Sequence, residues 1–232
     1  MFRALPYVVL LVAALVVSSA HPAAAEPGDP AAVFESALAA RDEGRLVLAC
    51  RHFEQAVALA PAWPLAHYEY ARCLRLIGDP EGLAAHHIAR AEADLRRPPV
   101  FVEKGRIAED AGDAEAALAA YDEAIALLPA EVRAQLGAAR AVDPRRPDAF
   151  ERLQQFVRRH PESAAGWRKL AEAAEHAGRP EEAERALRQA IEVSANKRAA
   201  IAALAAFGAR AGRPAAIAEA RRLHRSQRPA SR

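Results

Sequence analysis

The chain has 232 residues, a formal net charge of +2 and a hydrophobic fraction of 52%, of which little is aromatic. So small a net charge predicts neither a nucleic-acid nor a membrane-surface partner, and an apolar fraction dominated by alanine suits close-packed helices rather than a sheet. No nucleophile elbow, phosphate-binding glycine loop, paired-cysteine metal site or helical His-Glu-x-x-His occurs, so the sequence supports no enzymatic activity, no cofactor and no metal site.

The first segment reads as an export signal. Met1-Phe2-Arg3 is a short basic start, Ala4 to Val17 is apolar apart from Pro6, and Ala23-Ala24-Ala25 supplies small residues before Glu26. The pattern predicts a signal peptide over 1–25 with cleavage after Ala25, and a periplasmic or secreted mature chain. An uncleaved segment that tethers the protein to the membrane is the alternative, though the apolar run is shorter than the roughly 20 residues a span requires. A Pro/Gly linker over 26–30 then leads into the first helix. The stretch Leu46-Val47-Leu48-Ala49-Cys50 superficially resembles a lipoprotein cleavage box, but it follows Arg41-Asp42-Glu43 instead of the apolar run, so lipidation at Cys50 is rejected.

Beyond the linker the organising feature is a period. Gly44, Gly78 and Gly112 recur at one constant interval, and Gly178 and Gly212 repeat the same interval. Between the two sets the spacing slips at Pro144-Arg145-Arg146-Pro147, where the turn glycine is missing. A repeated helix-turn-helix unit is implied. Its positions are clearest in the third unit, with Phe101, Gly105, Gly112, Ala117, Tyr121, Ala124 and Pro129, and in the fifth, with Trp167, Leu170, Ala171, Gly178, Ala183, Leu187 and Ala190. The second unit carries Ala84, Ile88 and Ala91 one residue late after Gly78, which predicts a one-residue insertion. Pro61, Pro129 and Pro161 close B helices, whereas Pro80, Pro180 and Pro214 are expected to open them. The sixth unit ends in Ile217, Arg221 and Leu223, a face expected to be too polar to receive another repeat and so to cap the array.

These residues resemble the tetratricopeptide-repeat family, over Ala31 to Leu223. The resemblance implies an all-α, right-handed superhelical solenoid of about six repeats, at approximately 31–62, 63–97, 98–130, 131–162, 163–196 and 197–226, followed by a basic tail over 227–232. It also implies that helix A of each repeat lines a concave groove, the family's default binding site. Projection onto that face gives Tyr68, Glu69, Arg72 and Arg75, then Val102, Arg106 and Glu109, then Gln135, then Arg168, Lys169 and Glu172. Arginine and tyrosine are the residue types that most often carry interface energy. The expected function is a protein-interaction scaffold of the bacterial cell envelope that holds a protein or peptide in this groove. The lysine and asparagine clamp of chaperone-tail binders is missing, since Asn196 is the only asparagine.

Three smaller features complete the reading. Cys50 falls on helix B of the first repeat and Cys73 on helix A of the second, elements that stack, so an exported chain can bridge them; two buried thiols are the alternative. His86-His87, with His67 one helix away, point in different directions around a helix and do not make a metal site. Arg221, Arg222, Arg225, Arg228 and Arg232 crowd the C-terminal end without aromatic interleaving, which argues against nucleic acid. The oligomeric state is left open by the sequence, although exposed terminal repeats can stack on one another.

Overall fold

A computed structural model describes residues 28–79 and 81–227; the expected signal segment over 1–25, the first two residues of the linker, Pro80 and the tail from 228 lie outside the described residues. Twelve helices and no strand occur among the described residues, and they pair in chain order. The pairs are α1 (Pro30–Asp42) with α2 (Leu46–Leu59), α3 (Pro64–Ile77) with α4 (Leu83–Asp94), α5 (Pro98–Asp110) with α6 (Ala114–Leu127), α7 (Val132–Ala141) with α8 (Ala149–Arg159), α9 (Ala164–His176) with α10 (Pro180–Val193), and α11 (Arg198–Arg210) with α12 (Pro214–Ser226). The result is an all-α repeat solenoid.

Local chemistry sets these boundaries. Proline at the first positions of α1, α3, α5, α10 and α12 removes an N–H that no helix could use there. Asp113 and Ser163 cap α6 and α9 by accepting the N–H of Ala116 and of Gly166. Pro61, Pro129 and Pro161 each stand two positions beyond the end of a B helix, where no further turn can form. Gly44, Gly112, Gly178 and Gly212 sit in short A-to-B turns with φ between 63° and 77°, a left-handed conformation that costs other residues a Cβ clash.

Two turns depart from this plan. The second repeat turns over 78–82, with both Gly78 and Gly82 left-handed and Asp79 capping α4 through both carboxylate oxygens. Helix α4 therefore starts at Leu83, and Pro80 does not open it as the sequence suggested. The fourth repeat has a longer turn over 142–148, tied by Asp143 to the N–H groups of Arg145 and Arg146 and by Arg146 to Glu115 and Asp148. Helices α7 and α8 lie together over far less of their length than the partners in any other repeat.

Small residues set the distance between neighbouring helices. Tyr121 of α6 is fully buried and lies between two glycines of successive A helices, Gly105 and Gly137. A Cβ on Gly105 would come 2.6 Å from the Tyr121 ring, and one on Gly137 would come closer still. Gly166 faces Phe156 of the preceding B helix in the same way. The third, fourth and fifth repeats thus close on one another by letting an aromatic ring rest on a bare backbone.

Candidate functional site: the inner wall of the solenoid

Successive A helices touch one another, α3 with α5, α5 with α7, α7 with α9 and α9 with α11, whereas successive B helices make at most marginal contact. The A helices therefore form the inner wall of the curve.

An ion-pair ladder runs along this wall. Arg41 donates to Glu69 at 2.8 Å and Arg75 donates to Glu103 at 2.5 Å, each pair joining one repeat to the next. Arg41 and Arg75 stand one repeat period apart, and so do Glu69 and Glu103. After the third repeat the polarity reverses. Glu109 now accepts two bonds from Arg140, at 3.2 and 3.0 Å, and Glu175 accepts two from Arg210. The acid comes first and the base follows. Glu103 is the most enclosed member, 2% exposed, and Arg75 and Arg106 both reach it. A buried carboxylate of this kind is tolerable only because it is paired.

The ladder sorts the residues the sequence placed in the groove. Glu69, Arg75 and Glu109 are structural links, and Glu109 additionally accepts the Tyr121 hydroxyl at 2.8 Å. Burial and that acceptor push the Tyr121 phenol well above its ordinary range. Lys169 donates to the carbonyl of Arg140, and burial lowers its ammonium below the usual lysine value. Val102 is buried and does not line the groove. Gln135 is also misplaced by the projection: it is only 8% exposed, donates to the Pro129 carbonyl and meets His160 Nε2 at 2.6 Å. The reason is a local device repeated along the chain, in which the side chain six positions after a closing proline donates back to that proline's carbonyl. His67 does so to Pro61 at 2.9 Å and Trp167 to Pro161 at 2.8 Å.

Tyr68, Arg72, Arg106, Arg168 and Glu172 remain on the inner wall with capacity to spare. Arg72 is 39% exposed and lies 3.6 Å from Glu69, whose carboxylate Arg41 already holds. Arg106 is 35% exposed and lies 3.4 Å from Glu103, already held by Arg75. Arg168 has no carboxylate partner among the described residues; with Glu172 it lines a slot of about 160 Å³ between α9 and α11, floored by Ala171, Ala203 and Ala206. Tyr68 is half-buried, and its phenol is raised by burial and by Glu69. Sequence reasoning missed Arg41, Glu103, Arg140 and Arg210, though the recurrence of Arg41/Arg75 and Glu69/Glu103 at the repeat period was there to be read.

The cysteines lie at the joint between the first two repeats, on α2 and α3, where they form a disulfide with Cα atoms 5.5 Å apart. Beside them in the second repeat, His67 and His87 meet Nδ1 to Nδ1 at 2.8 Å. His67 presents Nε2–H to Pro61, so in a neutral pair His67 Nδ1 carries the lone pair and accepts from His87 Nδ1–H. Burial, with His67 and His86 close by, lowers the His87 imidazole to about 4. No group of three or more metal-ligating side chains occurs among the described residues.

Comparison with known proteins agrees with this geometry. A family model described as tetratricopeptide repeat matches residues 102–143 and 145–198, from the third repeat through the fifth. Over those residues the chain belongs to the tetratricopeptide-repeat family. Helix pairing and turn glycines extend the same architecture to the repeats on either side of that match. Solved structures with the same fold include YrrB, described as a TPR protein with an unusual peptide-binding site, at TM-score 0.68 and 16% identity over 76% of this chain and 92% of that one. PilW, described as a widely conserved type IV pilus biogenesis factor, aligns at TM-score 0.61 and 15% identity over 87% and 94% of the two chains. MamA from Desulfovibrio magneticus RS-1 aligns at TM-score 0.60 and 17% identity over 72% and 97%. No curated protein sequence matches.

Proposed function

We propose that this tetratricopeptide solenoid is a non-enzymatic scaffold of the bacterial cell envelope that holds an extended segment or helix of a partner protein along its inner wall. The observation that carries the reading is the distribution of spare charge. Arg72, Arg106 and Arg168 are half-buried side chains whose nearest carboxylates are either already engaged or missing among the described residues. A guanidinium in that state can take a carboxylate or a backbone carbonyl of a ligand with little rearrangement. Tyr68 and the alanine floor beside Arg168 supply apolar contact between the charges.

The envelope assignment rests on the N-terminal pattern and on the pairing of Cys50 with Cys73, since such a pair persists in an oxidising compartment. The neighbour described as a pilus biogenesis factor supports it. No helix among the described residues is long and apolar enough to cross a membrane. Recovery of partners from envelope extract by the native chain and by an Arg72→Ala/Arg106→Ala/Arg168→Ala variant tests the site. The native chain should enrich a defined partner that the folded variant loses; equal recovery by both refutes the inner wall as the site.

A further inference from the structure

The last repeat ends in a cleft that the sequence did not foresee. Ile217 packs inward against Gly208, and Leu223 packs on the core, so neither forms the outer face expected of them. The outer face is instead a cleft of about 410 Å³ between α11 and α12, floored by Ile201, Ala202, Ala205 and Ala220 and rimmed by Arg198, Arg221, His224 and Arg225. None of the three arginines has a carboxylate partner among the described residues. The pair α11–α12 contains a single acid, Glu219, and that carboxylate is held by Arg188 of α10.

In the interior of the solenoid the corresponding space between an A and a B helix is filled by the next A helix. α5 lies against α3 and α4, and α11 lies against α9 and α10. Only one A helix among the described residues has no repeat before it, and that is α1. Its outward residues are Ala32, Glu35, Ser36, Ala39 and Asp42, of which all but the half-buried Ala32 are exposed. Glu35 occupies the same position in the first repeat that Glu69 and Glu103 hold in the second and third, and each of those accepts an arginine from the preceding repeat. For Glu35 no such repeat precedes it among the described residues, and it has no cation partner there.

We propose that the cleft between α11 and α12 receives α1 of a second copy, so that the solenoid continues head to tail. The small residues of α1 allow close approach to the alanine floor, and the unpartnered carboxylate of Glu35 is opposite in charge to the arginine-rimmed cleft. The contact is heterologous: it uses different surfaces on the two copies and does not close on itself, so assemblies grow with concentration. It uses neither Arg72 nor Arg106 nor Arg168, and its failure leaves the inner-wall reading untouched.

Sedimentation velocity of the purified chain over a range of concentrations tests this. The mass should rise with concentration, and less steeply at high ionic strength, because exposed charges are screened there. Two variants reverse the charge of one end each, Glu35→Arg and Arg221→Glu/Arg225→Glu. Each alone should associate roughly tenfold more weakly or worse, since like charges then face each other. An equal mixture of the two should recover association, because every contact between unlike variants is again complementary. That recovery also shows both variants folded. A chain monomeric at every concentration overturns the proposal and leaves the cleft to an acidic helix of another protein. Association indifferent to both reversals, or a mixture that fails to recover, overturns it as well.

Discussion

The joint between the first two repeats and the joint inside the fourth hold the same kind of helices by opposite means. At the first joint the two repeats are fastened by the Cys50–Cys73 disulfide between α2 and α3, by Arg41 of α1 reaching Glu69 and by His67 reaching back to Pro61. In the fourth repeat α7 and α8 are splayed by a long turn without glycine, and the repeat is held to its neighbours instead: Gly137 rests on Tyr121, and Arg146 and Arg152 pair with Glu115 and Asp122 of the third repeat. A solenoid needs contact between neighbours, not integrity of each unit, so a repeat with poor internal packing survives if both sides grip it. The ladder reverses its polarity at the same place, between Arg75–Glu103 and Glu109–Arg140.

The contrast breaks most visibly at Tyr121, which joins the third repeat to the fourth. Tyr121→Ala empties a buried site shared by two glycines and should cost about 3–5 kcal/mol. Because contact between neighbours carries the cooperativity, calorimetry should show the single transition dividing in two; one transition at an unchanged temperature would contradict this. Next in size is the fastening of the first joint. Reduction, or Cys50→Ala with Cys73→Ala, removes a link across a separation of 23 residues, an effect of about 3 kcal/mol on the chain-entropy model. Hydrogen exchange should quicken in α2 and α3 and stay unchanged in α9 to α12. Two free thiols in denatured, unreduced protein would remove the bridge from the account.

A smaller effect separates the two halves of the ladder. Glu103 is enclosed and serves two arginines, whereas the Arg210 partner of Glu175 is largely exposed. Glu103→Gln should therefore cost about 2 kcal/mol by leaving Arg75 partly buried without its main acceptor, and Glu175→Gln less than about 1 kcal/mol. Equal losses in urea titrations would show that burial does not distinguish them.

The last effect is one of pH. His87 is held neutral down to about 4 against an ordinary value of 6.5. Between those values the unfolded chain takes up a proton that the folded chain refuses, so stability is full above the upper value and falls as the pH drops through the window. His87→Phe should flatten that acid limb, and an unchanged slope would place its cause elsewhere.

What the sequence disclosed followed how local the cause was. Turn glycines and closing prolines act within one or two turns of helix, and Gly112 and Gly178 were legible from spacing, Gly105 and Tyr121 from the resemblance to the family. The insertion after Gly78 showed as a one-residue delay and corresponds to the widened turn over 78–82. Which groove residues were free was not legible, because that depends on partners nearly a whole repeat away. Glu69 and Arg75 looked like anchors until Arg41 and Glu103 were seen to occupy them. Gln135 faced the groove in projection, but the carbonyl of Pro129 and the imidazole of His160 turned it inward. The outer face of the last repeat was misread because Ile217 and Leu223 were assigned by position, while Gly208 had made room for Ile217 inside.

A photo-crosslinking amino acid placed at one inner and one outer position of the protein, in living cells, tests the central claim most directly. Glu172 on α9 is exposed on the inner wall beside Arg168, and Arg90 on the B helix α4 is exposed without a carboxylate partner among the described residues. Irradiation should give a discrete partner adduct from position 172 and none from position 90. An adduct from position 90 with none from 172 would show that the partner rides the outer surface, and the inner-wall account would fall.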